Sequence, residues 1–214
     1  MENKPTVVIT GITGFVGSQV CLTFLKHGGF KVRGTVRSTK NPKKMEPLIK
    51  GFGQELFDQL ELVEADLLDA ESLDRAVQGC EYVVHTASPF PIGNPKNEDE
   101  LIKPAVEGTL GALRAAHKYG VKRVVITSSV VAIYRSADKA KTHYTTEDWT
   151  DLNIATAYEK SKTMAERAAW DYIATIPENE RFEFVTINPG LVLGPNLNEC
   201  SFASGDILRN VMTG

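Results

Sequence analysis

The stretch Val7-Val8-Ile9-Thr10-Gly11-Ile12-Thr13-Gly14-Phe15-Val16-Gly17 runs a short β-branched segment into a Gly-x-x-Gly-x-x-Gly turn and then into helical sequence. Each glycine has its own physical task. Gly11 permits a tight turn, Gly14 lets backbone amides approach a pyrophosphate, and Gly17 lets the helix pack close to the strand. The helix N-terminus adds unpaired N–H groups and a partial positive charge suited to an anion. A glycine pattern alone is weak evidence, because ordinary turns also use glycine. The strand-to-helix placement is what points to a dinucleotide.

Outward from this turn, β-branched runs alternate with helical patterns, the rhythm of βαβ units and a parallel sheet. After Val7-Val8-Ile9 come Lys31 to Arg37, Leu60 to Ala65, Tyr82 to His85, Arg123 to Thr127 and Phe182 to Ile187. Six strands predict an α/β fold of the doubly wound, Rossmann type, with helices on both faces. The first helix is expected to be largely buried and to end at Gly28-Gly29, a pair suited to a left-handed cap. Glu98 to Tyr119 is helical in pattern, with Pro104 and two glycines expected to bend or divide it. A third helix covers Ala157 to Ile176 and stops at Pro177. Ser88 to Asn97 and Arg135 to Asp151 read as loops after strand ends, and so as walls of a substrate cleft.

The 214 residues carry 24 basic and 27 acidic side chains, a net charge of −3, spread along the chain. No strong field is offered to nucleic acid or to an acidic membrane. No secretory signal precedes the first strand, and no apolar run is long enough to span a bilayer. Cys21, Cys80 and Cys200 are far apart and odd in number, which argues against a disulfide framework and a zinc knuckle. Cys21 and Cys80 are expected to be inert small hydrophobes in a reducing cytoplasm. His27, His85, His117 and His143 show no metal-ligand spacing, and no metal is expected.

Strand two ends in Val36-Arg37-Ser38, where folds that prefer NAD place an acidic residue on the ribose. Arg37, with Lys43 or Lys44 nearby, suits the 2′-phosphate of NADP instead. Asp66 lies where a carboxylate accepts from an adenine amino group, although an N-cap for the next helix is an equally ordinary role. Tyr158-Glu159-Lys160-Ser161-Lys162 places Tyr158 and Lys162 on one helix face, one turn apart, while Lys160 faces away. An adjacent ammonium is expected to bring the phenol's pKa down toward the working range. Ser128-Ser129 ends strand five, and one of these hydroxyls can donate to a carbonyl oxygen that becomes negative. No Gly-x-Ser-x-Gly elbow supports a serine hydrolase.

Taken together, these residues resemble the extended short-chain dehydrogenases/reductases, and within them the dihydroflavonol 4-reductase and cinnamoyl-CoA reductase branch. The resemblance is carried by Thr10 to Gly17, Thr35-Val36-Arg37, Lys43-Lys44, Ala65-Asp66-Leu67, Lys103 to Thr109, Thr127-Ser128-Ser129, Tyr158 to Lys162 and Asn188 to Pro195. It implies Ser129, Tyr158 and Lys162 as the catalytic set. It implies nucleotide contacts from Gly11, Thr13, Gly14, Phe15, Val16 and Gly17, from Arg37 and Lys44 at the 2′-phosphate, and from Asp66 and Leu67 at the adenine. Thr86, Ala87, Ser88 and Pro189, together with Tyr158 and Lys162, would serve the nicotinamide half.

The implied activity is reduction of a ketone or aldehyde by NADPH, with a small-molecule carbonyl as partner. A sugar-nucleotide epimerase or dehydratase using NAD shares the same triad and turn, and a non-catalytic NADP sensor or scaffold is a further alternative. Members of this branch continue past Gly194-Pro195. Residues 1–195 are therefore expected to form the NADP-binding domain with its catalytic residues, and residues 196–214 the start of a truncated substrate-binding region.

Overall fold

Thr6–Thr10, strand β1, alternates its side chains so cleanly that Val7 and Ile9 enter one core layer and Val8 the other. The structure, a computed structural model, describes residues 4–89, 97–197, 199 and 203–213. Helix α1 (Phe15–His27) follows the glycine turn, and its C-cap Gly28 has φ +70°, the left-handed cap expected from the Gly28-Gly29 pair. Then come β2 (Lys31–Val36), α2 (Pro42–Phe52), α3 (Gln54–Phe57), β3 (Leu60–Glu64), α4 (Ala70–Val77) and β4 (Tyr82–His85). The second half contains α5 (Asp99–Lys118), β5 (Arg123–Thr127), α6 (Ala157–Thr175), β6 (Glu183–Ile187) and α7 (Ala203–Thr213).

Every pairing is parallel, in the order β3-β2-β1-β4-β5-β6. That is the doubly wound Rossmann-type sheet, and its winding reverses between β1 and β4. One face packs on α1 and α2 through Cys21, Leu22, Leu25, Met45, Leu48 and Phe52. The other packs on α4, α5 and α6 through Val77, Leu113, Ala116, Ala169 and Ile173. The thiols of Cys21 and Cys80 are buried and unbridged, and burial raises their pKa values to about 12 and about 11. Both are inert at neutral pH, as expected of buried cysteine.

Two readings of the sequence need correction. Helix α5 is a single 20-residue helix, neither divided at Pro104 nor broken at its glycines. The glycines are contact points: a Cβ on Gly108 would lie 2.7 Å from Leu67 Cδ2, and one on Gly111 2.8 Å from Leu73 Cδ1. The N-cap of α4 is Asp69, which accepts from the Ser72 amide; Asp66 instead accepts from Leu68 N in a local turn. Arg135 to Asp151 contains no helix or strand, as expected of a loop. Residues 90–96 of the other expected loop, with Cys200 and Gly214, lie outside the described residues.

Candidate active site

The carboxyl ends of β1 and β4 meet at the reversal point, and the Thr10 hydroxyl joins them. It accepts from Thr86 N and Ala87 N, each at 3.1 Å, and pairs with His85 Nδ1 at 2.9 Å. Having accepted twice, the hydroxyl gives its proton to Nδ1. The glycine turn lies against this corner. Gly14 N donates to Gly11 O at 2.9 Å, and Gly11 N donates to Thr35 Oγ1 at 3.1 Å.

No side chain fits at Gly11 or Gly17. A Cβ on Gly17 would fall 2.4 Å from Gly11 O and 2.6 Å from Thr86 Oγ1, and one on Gly11 2.9 Å from Ala87 Cα. Gly14 is the N-cap of α1, with no side-chain cap bond, so the helix presents its amino end bare of capping side chains beside the crevice. This cradle fits a pyrophosphate. Thr13, Phe15 and Val16 lie within the same stretch, and Ala87 packs against Gly11. Arg37, just past the carboxyl end of β2, and Lys44, in the first turn of α2, are exposed, and neither forms an ion pair among the described residues. Asp66 is exposed after β3, whereas Leu67 packs on Gly108.

The second half of the site gathers at the ends of β5 and β6 and on α6. A capping box, Thr156 with Glu159, starts α6, and Tyr158 lies in its first turn. The phenol of Tyr158 is hydrogen-bonded to the Ser129 side chain. Ser129 is the N-cap of a short 3-10 turn, Val130–Ala132, and its oxygen also accepts from Val131 N at 3.3 Å. The two adjacent serines are thereby told apart. Ser128 gives its hydroxyl to the buried carboxylate of Glu166, leaving Ser129 as the one that meets Tyr158. Pro189 accepts from Val130 N at 3.0 Å and so supports the same turn.

Lys162 lies one turn beyond Tyr158, buried, with Nζ donating to Thr127 O at 3.3 Å. Burial brings its pKa down to about 8, opposed by the charge of Glu166. The expected lowering of the phenol's pKa is not found. Burial raises it, the Ser129 hydrogen bond offsets this in part, and Lys162 makes no contribution. The Lys162 ammonium donates to a backbone carbonyl at the end of β5.

Sequence reasoning missed Glu166, Asn188 and His85. Asn188 Nδ2 donates to Ser129 O at 3.1 Å and to Glu166 Oε2 at 2.8 Å. Nothing in a helical glutamate four residues after Lys162 separates it from a solvated one. Its burial comes from partners on other elements.

The family model described as NAD dependent epimerase/dehydratase family matches residues 7–213. Among curated relatives, the Medicago truncatula protein named cinnamoyl-CoA reductase CAD2 is 37% identical over 215 residues, covering 97% of this chain and 64% of that protein. Arabidopsis thaliana tetraketide alpha-pyrone reductase 1 is 39% identical over 217 residues, covering 97% and 64%. Among solved structures, yeast methylglyoxal/isovaleraldehyde reductase Gre2 complexed with NADPH superposes with a TM-score of 0.79 at 29% identity, covering 97% of this chain and 65% of that one. The chain thus spans 64% of the length of both curated relatives. Among the described residues, no helix is long and apolar enough to cross a membrane.

Proposed function

The chain belongs to the NAD dependent epimerase/dehydratase family, and on that premise we propose that it is an NADP(H)-dependent oxidoreductase reducing a small ketone or aldehyde to an alcohol. The observation that carries this reading is the Ser129–Tyr158 hydrogen bond beside the glycine turn, with Lys162 one turn below. The two hydroxyls converge on one point, and a carbonyl oxygen seated there replaces their mutual bond and accepts the proton of each.

NADPH, when bound, supplies the hydride that the carbonyl carbon accepts. Tyr158 donates its proton to the oxygen, and the Ser129 hydroxyl stabilises the negative charge as it develops. A phenol whose pKa is raised by burial holds its proton until that oxygen becomes basic, which suits a donor in the reductive direction. Lys162, one turn along α6 from Tyr158, is assigned to orienting the nicotinamide ribose.

Gly11, Thr13, Gly14, Phe15, Val16 and Gly17 are assigned to the pyrophosphate, and Arg37 and Lys44 to the 2′-phosphate. Asp66 and Leu67 are assigned to the adenine side, and Thr86, Ala87, Ser88 and Pro189 to the nicotinamide half. Residues 1–195 form the nucleotide-binding domain, and residues 196–214 begin the substrate-binding region. The choice of NADP rests on the basic end of β2 and is supported by NADPH in the Gre2 structures. A reducing compartment accords with the inert buried thiols.

The test is NADPH oxidation against a panel of aldehydes and ketones, with Tyr158→Phe as control. Removing the phenol is expected to lower turnover by about 10²–10⁴-fold while NADPH binding persists. Equal rates in the two proteins would sink the proposal, and strong binding without turnover on the whole panel would favour a non-catalytic NADP sensor.

A further inference from the structure

Glu166 is a buried carboxylate, 5% exposed, that the proposed chemistry does not use. Neutral donors from three positions satisfy its oxygens: Ser128 at the end of β5, Thr186 Oγ1 on β6 at 3.1 Å, and Asn188 Nδ2 after β6 at 2.8 Å. It makes no direct ion pair among the described residues. A buried charge satisfied only by neutral groups is expensive unless a cation faces it across a low dielectric. Lys162 fills that place. It stands four residues earlier on α6, on the same helix face, and the two side chains line one small cavity with His85, Thr127 and Ser128.

We propose that Glu166 is a positioning residue of this site, its buried carboxylate holding Lys162 in the ammonium form across the shared cavity. Among the described residues that line this cavity there is no other anion. Tyr158 on α6 is a neutral phenol, and His85 from β4 lies on the same cavity as a neutral ring, its pKa pushed down to about 4 by burial and by Lys162 itself. Thr127 and Ser128 from β5 and Thr109 from α5 are uncharged. Burial alone drives Lys162 toward the free amine, and the Glu166 charge is what opposes it. The carboxylate is held on the cavity wall by Ser128 at the end of β5 and by Thr186 and Asn188 at the end of β6.

This inference rests on reading Lys162 as part of the reacting set, but its test uses neither nucleotide nor substrate, so it stands or falls apart from turnover. The chain is labelled with carbon-13 at lysine Cε, and the Lys162 resonance is identified by its loss in Lys162→Met. Titrated toward alkaline pH, the natural protein is expected to show a midpoint near about 8. Glu166→Gln keeps the shape and loses the charge, and its midpoint is expected lower by on the order of one pH unit, a tenfold loss of proton affinity.

Thr186→Val removes one hydrogen bond to Glu166 while leaving the charge, and is expected to move the midpoint far less. If Glu166→Gln does not fold, Glu166→Asp, with its carboxylate withdrawn by one methylene, is expected to show a smaller downward move. An unchanged or higher midpoint in the folded variant, or an equal shift in Thr186→Val, overturns the proposal.

Discussion

His85 sits beneath the cleft with Nδ1 accepting from Thr10 and Nε2 without a partner among the described residues. Burial, and then the charge of Lys162, lower its pKa from 6.5 to about 4. The folded protein therefore keeps the ring neutral where an unfolded chain protonates it. Between pH 6.5 and about 4 the unfolded state binds more protons, so stability falls as pH drops through that window. Denaturant unfolding at neutral pH and at mildly acidic pH is expected to show this loss in the natural protein. His85→Gln, which has no titrating group, is expected to lose less over the same interval, and an identical loss in both would refute the assignment. At this scale the sequence was legible in part. Tyr158, Lys162 and the Ser128-Ser129 pair were readable because a helix face and a strand end are local. The partners that separate Ser128 from Ser129 were not, because Glu166 and Asn188 reach them from α6 and from beyond β6.

Helix α6 shows how an element carries a site. Thr156 accepts from the Glu159 amide and Glu159 returns a bond to the Thr156 amide at 2.7 Å, fixing the turn that holds Tyr158. Thr156→Ala removes half of this box and is expected to cost about 1 kcal/mol of stability, measured by thermal or denaturant unfolding. Fraying at that end also loosens the phenol, so the Ser129–Tyr158 bond is expected to weaken with it. A variant as stable as the natural chain would show that packing, not the box, holds the turn. The span of α6 and its stop before Pro177 were readable in sequence, whereas its capping box and the start of α2 at Asn41-Pro42 were not read there. The course of α5 was not, because Gly108 and Gly111 look like breaks until Leu67 and Leu73 are seen to fill the space above them.

On the scale of the molecule, one sheet separates two apolar layers that meet only through its strands. Leu113 in one layer and Leu48 in the other are fully buried. Each changed to alanine is expected to lose about 2–5 kcal/mol of unfolding free energy. The double variant should lose the sum to within about 0.5 kcal/mol, since the two side chains belong to separate apolar clusters. A coupling larger than that, measured in a double-mutant cycle, would mean the sheet transmits strain between its faces. The six strands were legible in the sequence as short β-branched runs, whereas their order is set only in the fold. Thr10 shows what that order asks of the chain. Its hydroxyl bonds His85 across 75 residues, so the crevice beside the glycine turn has only one wall until β4 arrives. Closing so long a loop is slow relative to local structure. A nascent chain that has released β1 to β3 therefore holds half a crevice, and a ligand of that crevice cannot template the early steps; it can only bolt the finished sheet and slow its opening.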